Sequence, residues 1–273
     1  MAVDSSSLEA ANESIVRQAM VQIQSEAGLG SGPIAGLAPS FTLRANGVAY
    51  DLPGFLAMWR GRREHLQELS FTFEDVCCRG DRVAVFRSAS VVAKDGTRQP
   101  GIAVFDVWRV VGGQIVSGEQ CWQRLRGPAG DDIPHTAREA QLEEAVRRAV
   151  VGLHSLTEVQ AHLRKCWAPS FSGTINGQQL DLARLCAHWA ALQSELTTVL
   201  IDIKQSVVHG CFVGVIYHVL CGRADRQAAE LRAVAIFQVD PATRQIVGSD
   251  AVVRVVSGTA EPEDECLPIL MPA

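Results

Sequence analysis

Ala38-Pro39-Ser40-Phe41 recurs as Ala168-Pro169-Ser170-Phe171, and the two stretches lie 130 residues apart. A period of this length is too long for one unit of a solenoid and matches a whole small domain. The sequence therefore predicts a tandem duplication. The same shift relates further turn, helix and strand residues: Asn46-Gly47 and Asn176-Gly177, Asp51-Leu52 and Asp181-Leu182, Trp59 and Trp189, Leu66 and Leu196, Gly80 and Gly210, Val83 and Val213.

Composition narrows the class of protein. The chain has 273 residues, of which 47% are hydrophobic, and a formal net charge of −5. This length supports two domains with ordinary cores. The acidic balance argues against nucleic acid, because phosphate binding needs a concentrated basic field. No apolar run approaches the roughly 20 residues of a membrane span, and residues 1–12 lack the features of a signal peptide. We expect a cytoplasmic protein with no nucleic-acid or membrane partner.

The eight cysteines follow neither metal-ligand spacing nor a disulfide framework. Most stand among apolar neighbours, so we expect buried, reduced thiols. The adjacent pair Cys77-Cys78 leaves a redox role as an alternative. Arg60, Arg62 and Arg63 cluster on one helix, and a solvated helix face accounts for them.

Both halves show the same predicted order, helices first and strands after them. Apolar spacing predicts helices over 8–26 and 52–69, then strands over 41–44, 70–78, 82–93, 101–111 and 114–124. In the second half it predicts helices over 138–153, 156–167 and 182–196, and strands near 171 and over 199–208, 211–222, 229–239 and 245–256. Glycine-rich connections such as Gly112-Gly113 are typical of hairpins.

This order predicts an α+β fold in which helices pack on one face of a curved antiparallel sheet and leave room for a conical pocket. The predicted boundaries are a first domain over 1–126, a linker over 127–137, a second domain over 138–258 and a flexible acidic tail over 259–273.

The run Phe105-Asp106-Val107-Trp108-Arg109-Val110, followed by Gly113-Gln114-Ile115-Val116, resembles the cone-shaped NTF2-like superfamily and, within it, the SnoaL-like domains. The resemblance covers residues 13–124 and, more loosely, 139–257. It implies two tandem cones that pair through their sheets as a pseudo-dimer within one chain, with further homo-oligomers left open. The residues show no metal cluster, and we expect no cofactor. The resemblance leaves the reaction undecided, since this superfamily holds isomerases, polyketide cyclases, epoxide hydrolases and binding domains.

In the first cone, Asp106 falls where ketosteroid-isomerase-like members carry an Asp that donates a hydrogen bond. Apolar neighbours, among them Trp108, would favour the neutral carboxyl. Strand alternation from an inward Asp106 directs Gln120 and Trp122 toward the pocket. The same registration directs Phe86, Ser88 and Ser90 inward, and Trp59 lies on the inner side of the second helix. The alternative for Asp106 is a structural pair with Arg87 or Arg98.

The general base of those members has no counterpart, because Leu43 or Arg44 stands at that position in the first half and Gly173 or Thr174 in the second. The second cone has Ala235 for Asp106 and Ala251 for Gln120. There His218 is the inward candidate for proton transfer near neutral pH, with a hydrogen-bonded core histidine as the alternative.

Two functions follow from these residues. The first is a cofactor-independent enzyme of the polyketide cyclase, isomerase or epoxide hydrolase kind, with Asp106, Gln120 and His218 as candidate catalytic residues. Its substrate would be a small, apolar, oxygenated molecule, bound by the residues predicted to line the pocket. The second is a ligand-binding or accessory protein without catalysis.

Overall fold

The computed structural model describes residues 5–25, 29, 34–126, 131–132, 136–223 and 228–257. The chain divides into two compact units, Met1–Pro134 and His135–Ala273, called unit 1 and unit 2. This division falls within the predicted linker, whose residues 127–130 and 133–135 lie outside the described part of the chain, as does the predicted tail.

Unit 1 follows the predicted order of helices and strands. In the described residues its elements are α1 (Ser5–Gln24), β1 (Leu37–Ala45), β2 (Val48–Asp51), α2 (Leu52–Arg63), β3 (Leu66–Arg79), β4 (Arg82–Ala93), β5 (Ile102–Val111), β6 (Gln114–Arg126) and β7 (Asp131–Asp132). The second helix was predicted to reach residue 69. It ends at Arg63 because Leu66 already pairs with Ala93 in the sheet.

Unit 2 repeats this architecture. Its described elements are α3 (Ala137–Val151), a 3₁₀ turn (Gly152–His154), α4 (Val159–Cys166), β8 (Trp167–Ile175), β9 (Gln178–Asp181), α5 (Leu182–Gln193), β10 (Leu196–His209), β11 (Phe212–Arg223), β12 (Ala229–Val239) and β13 (Ile246–Ser257).

The two sheets share one topology. Their strand orders are β2-β1-β6-β5-β4-β3, with β7 on β6, and β9-β8-β13-β12-β11-β10. Neighbouring strands are antiparallel except that β1 runs parallel to β6 and β8 parallel to β13. Each sheet is therefore mixed, where a purely antiparallel sheet was expected. The tandem α+β fold is confirmed.

The repeated Asn-Gly pairs form the turn that follows the first strand of each unit. Asn46 (φ 48°) and Asn176 (φ 49°) take left-handed conformations, which Asn tolerates. The Asn46 side chain also accepts from the backbone N–H of Trp122 at 2.9 Å and donates to its carbonyl at 3.2 Å. Asn176 makes the same pair of bonds with Val253. This turn thus fixes the position of Trp122 on β6.

Helices cover one face of each sheet and enclose the core of each unit. In unit 1 Phe41 packs against Phe55 of α2 and against Trp108 of β5, with ring centroids 5.2 and 6.3 Å apart. Asp51 caps the N-terminus of α2, and its carboxylate accepts from the N–H of Gly54 at 2.8 Å. In the described ranges no helix has the length and apolarity needed to cross a membrane.

Candidate functional site

The helix-facing side of the unit 1 sheet carries three neighbouring polar side chains. Asp106 on β5 lies opposite Gln120 on β6 and opposite Val85 on β4, so these three side chains share a face. The next rung along the same face joins Arg87 and Val104. Cross-strand pairing therefore brings Arg87, Asp106 and Gln120 together.

These three residues form a buried network, which we call the floor. The Nε of Arg87 donates to Oδ2 of Asp106 at 2.7 Å, and the Nε2 of Gln120 donates to Oδ1 at 2.6 Å. The exposed fractions are 2% for Arg87, 0% for Asp106 and 6% for Gln120. Because both carboxylate oxygens accept hydrogen bonds, Asp106 acts here as an acceptor and holds its two partners in place.

A cavity of about 350 Å³ lies above the floor. Arg87 and Gln120 are among its lining residues, and the Arg87 guanidinium lies 4.3 Å from the centroid of the Phe71 ring. This volume is at the lower end of the range for small-molecule sites, which are mostly apolar with a few placed polar groups. The apolar walls are Leu66, Leu69, Phe71, Ala89, Val91, Ala93, Pro100, Ile102 and Val104.

The mouth of this cavity is basic. Arg62, His65 and Arg124, which we call the rim, line the cavity and are exposed. The Arg62 guanidinium lies 5.2 Å from the Trp59 ring centroid and 5.7 Å from that of Trp122. Partial burial lowers the pKa of Arg62; Tyr50 acts in the opposite direction, and the positive charge of Arg124 adds a smaller lowering.

Unit 2 has the same scaffold without these polar groups. Its sheet register places Tyr217 at the position of Arg87, Ala235 at that of Asp106 and Ala251 at that of Gln120. The corresponding cavity has a volume of about 40 Å³. Tyr217 and Ala251 line it, whereas Ala235 is not among its lining residues. Burial raises the pKa of the Tyr217 hydroxyl, so that side chain stays neutral. A polar floor is therefore present in one of two copies of the fold.

The residues expected on the pocket wall divide into two groups. Gln120, Trp122 and Trp59 line the cavity, and Asp106 lies directly behind Arg87 and Gln120. Trp108 shares the inner face but is packed in the core against Phe41. The neutral, hydrogen-bond-donating Asp106 expected from the sequence is not what the structure contains, because Arg87 holds it as an ion pair.

The inward orientation expected for Phe86, Ser88 and Ser90 is wrong by one residue. Asp106 faces Val85, so the inward residues of β4 carry odd numbers, and a one-residue slip moves every side chain to the opposite face. Ser88 donates to Glu74 at 2.8 Å on that opposite face, and Phe86 packs against Phe105.

The same slip applies to His218 in unit 2. Its neighbour Tyr217 takes the inward position. The Nδ1 of His218 lies 3.1 Å from a carboxylate oxygen of Glu230, and His218 on β11 is opposite Asp202 on β10. His218 therefore lies on the sheet face away from the unit 2 cavity.

Sequence reasoning missed the rim. Arg62 was assigned to a solvated helix face, yet it lines the cavity, and Arg63 on the same helix is buried. Two signals pointed to the rim: Arg124 follows Gln120 and Trp122 at strand spacing on β6, and Arg62 follows Trp59 by three residues on α2. Within the described residues no group of three His, Cys, Asp or Glu side chains is placed to hold a metal ion.

Comparison with known proteins supports the resemblance in the first half. Residues 35–118 match the family model described as a SnoaL-like domain. The resemblance is confirmed there, and the two similar sheets confirm the tandem arrangement. No curated protein matches this chain closely enough to count as a relative.

Solved structures similar to 40–50% of the chain include bacterial and fungal proteins. A candidate SnoaL-like polyketide cyclase from Jannaschia sp. CCS1 shares 15% identity at a TM-score of 0.39, over 44% of this chain and 90% of its own. An NTF2-like protein of unknown function from Burkholderia pseudomallei shares 22% at 0.35, over 40% and 88%. The BvnE pinacolase from Penicillium brevicompactum shares 9% at 0.38, over 50% and 92%.

Proposed function

We propose that unit 1 is a cofactor-independent enzyme of the cyclase or isomerase kind, acting on a small, apolar carbonyl compound. The observation that carries this proposal is the buried floor of Arg87, Asp106 and Gln120 beneath a cavity, in one of two copies of the same fold. Unit 2 serves as an internal control, because Tyr217, Ala235 and Ala251 occupy the same positions there.

The control matters because buried charge is costly. Removing an arginine and a carboxylate from water costs several kcal/mol per ion, and well-packed apolar residues in their place are often neutral or stabilising. Unit 2 demonstrates that the scaffold forms with Tyr and Ala at these positions. The stability of the fold therefore does not require a charged floor in unit 1. A polar reaction in the cavity would account for the floor.

The chemistry follows from the donors that the floor offers. In the described contacts Asp106 engages Arg87 through Nε, so the terminal amino groups of Arg87 remain for a ligand oxygen. A cationic donor fixed before the reaction stabilises negative charge that develops on a carbonyl oxygen in a dry site. Asp106 is then a positioning residue that orients Arg87 and Gln120.

Asp106 is paired and so offers no general base. Water must therefore take the proton from the substrate's α-carbon, and this requires an acidic α-hydrogen. The electron pair of that C–H bond moves onto the carbonyl oxygen as an enolate beside Arg87. In a cyclase the enolate α-carbon attacks a second carbonyl carbon, and the alkoxide that forms takes a proton from water. In an isomerase the substrate is a β,γ-unsaturated ketone, and its dienolate takes a proton from water at the γ-carbon. Atoms and charge balance without an oxidant or a cofactor.

Hydrogen–deuterium exchange at an α-carbon tests this proposal. The neutral ketone methyl 4-oxo-4-phenylbutanoate is incubated with the protein in D₂O, and loss of the α-proton signal is followed by NMR. We expect exchange above the buffer rate, reduced about 100-fold in Arg87→Met, the loss typical of one oxyanion donor. Arg109→Met is the control, since Arg109 pairs with Asp81 and is not among the cavity-lining residues.

A second variant separates catalysis from folding. Arg87→Met leaves Asp106 buried without its partner, whereas Arg87→Met with Asp106→Leu removes both charges together and avoids that cost. A folded double variant that exchanges protons as fast as the wild type contradicts the proposal, as does a wild-type rate equal to that of buffer.

The ion pair of Asp106 favours a second function, a binding protein without catalysis. An Asp106 that accepts from two donors offers no free acid or base at the floor. In this alternative the same ketone binds with an affinity that depends on Arg87, and its α-protons exchange no faster than in buffer.

A further inference from the structure

We propose that the rim of the unit 1 cavity binds a carboxylate, so that the natural substrate is an organic acid with an apolar body. This inference rests on the proposed function, because it assigns the substrate class of the same cavity. The rim consists of Arg62, His65 and Arg124.

The charge balance of the cavity is the first argument. Two arginines and a histidine lie at the mouth, and the described lining residues include no Asp or Glu. At the floor Arg87 is already neutralised by Asp106, 2.7 Å away. Among the described lining residues, the positive charges without a carboxylate partner are therefore at the entrance.

The way Arg62 is held is the second argument. Its guanidinium lies near the rings of both Trp59 and Trp122, which support a cation through their electron-rich faces. The Asn46 turn fixes Trp122 through two backbone hydrogen bonds. Arg62 and Arg124 both line the cavity, so an anion at its mouth that accepts hydrogen bonds from both would stabilise both charged side chains.

The spacing of polar groups is the third argument. Between rim and floor the walls are apolar, formed by residues such as Leu69, Val91 and Val104. A ligand that satisfies both ends carries an anionic group at the mouth, an apolar middle and a carbonyl oxygen at Arg87. Unit 2 again differs, since its register places Val255 at the position of Arg124.

Binding of a matched acid and ester tests the rim. The affinities of 4-oxo-4-phenylbutanoate and of its methyl ester are measured by calorimetry on the full chain. We expect the acid to bind about tenfold more tightly than the ester, since hydrogen bonds to a charged group are stronger than those to a neutral one. Arg62→Gln and Arg124→Gln should each weaken acid binding about tenfold and weaken ester binding less, since the ester carries no charge for them to pair with. Added salt should weaken binding of the acid alone.

Arg109→Gln is the matched control, because it removes the same charge from unit 1 at a residue that is not among the cavity-lining ones. Equal affinities for acid and ester, no binding of the acid, or acid binding unchanged in both rim variants overturns the inference. Its failure is distinguishable from that of the proposed function: the rim variants report on acid binding, whereas Arg87→Met reports on α-proton exchange of the neutral ester.

Discussion

Replacing Asp106 by alanine should destabilise unit 1 strongly, whereas replacing the whole floor should not. Asp106 and Arg87 are 0% and 2% exposed, so Asp106→Ala leaves a buried guanidinium without its counter-ion. Loss of one partner of a buried pair costs about 3–5 kcal/mol. We expect the lower end of this range, about 3 kcal/mol, because water in the adjacent cavity can hydrate Arg87.

The comparison variant gives unit 1 the residues of unit 2, namely Arg87→Tyr, Asp106→Ala and Gln120→Ala. It removes the buried charge together with its partner, and we expect a loss of at most about 1–2 kcal/mol, from incomplete packing around the shortened side chains. A triple variant more stable than the single variant shows that most of the loss in Asp106→Ala comes from the unpaired charge of Arg87 and little from the absent ion pair itself.

Native-state hydrogen exchange read by mass spectrometry resolves the two units, since it reports opening free energies segment by segment. Peptides from β5 should lose protection in Asp106→Ala and regain most of it in the triple variant. Peptides from β12 in unit 2 serve as the internal reference. A loss below about 1 kcal/mol in Asp106→Ala, or an equal loss in both variants, refutes the reasoning.

Two further predictions concern folding. Burial lowers the pKa of His188 from 6.5 to about 4. Above pH 6.5 the imidazole is neutral in the folded and in the unfolded chain. As the pH falls from 6.5 toward 4, His188 takes up a proton in the unfolded chain only. Stability should therefore fall by up to about 1.4 kcal/mol per pH unit in that window, and denaturant titrations of His188→Gln should show a flatter profile. A Cβ at Gly118 would lie 2.4 Å from the Trp108 ring, so Gly118→Ala should cost about 1–3 kcal/mol. Gly61→Ala, in open space on α2, should instead gain about 0.5–1 kcal/mol in the same denaturant titrations; equal effects of the two substitutions would contradict the packing argument.

Much of this fold could be predicted because local patterns agree with tertiary structure. The recurring Asn-Gly turns and the order of helices and strands specify two copies of one domain. Alternation along β5 and β6 correctly placed Asp106 and Gln120 on one face, and it placed Ala235 and Ala251 at the same positions in unit 2.

The rest depends on features that periodicity does not contain. The register between β4 and β5 is set by the geometry of the connection over residues 94–101, and an error of one residue exchanged Ser88 for Arg87 on the inner face. Similarly, an arginine on a helix suits solvent as well as a cavity mouth, so composition alone could not assign Arg62. For Asp106 the sequence left two alternatives open, a hydrogen-bond donor in the pocket or a structural pair with Arg87 or Arg98.

The most direct test of the central claim is a crystal structure of the protein with methyl 4-oxo-4-phenylbutanoate. We predict that the ligand occupies the unit 1 cavity, that its ketone oxygen lies about 3 Å from a terminal amino group of Arg87, and that the unit 2 cavity remains without ligand. A ketone oxygen directed away from Arg87, or a ligand seated in unit 2 instead, would contradict the account.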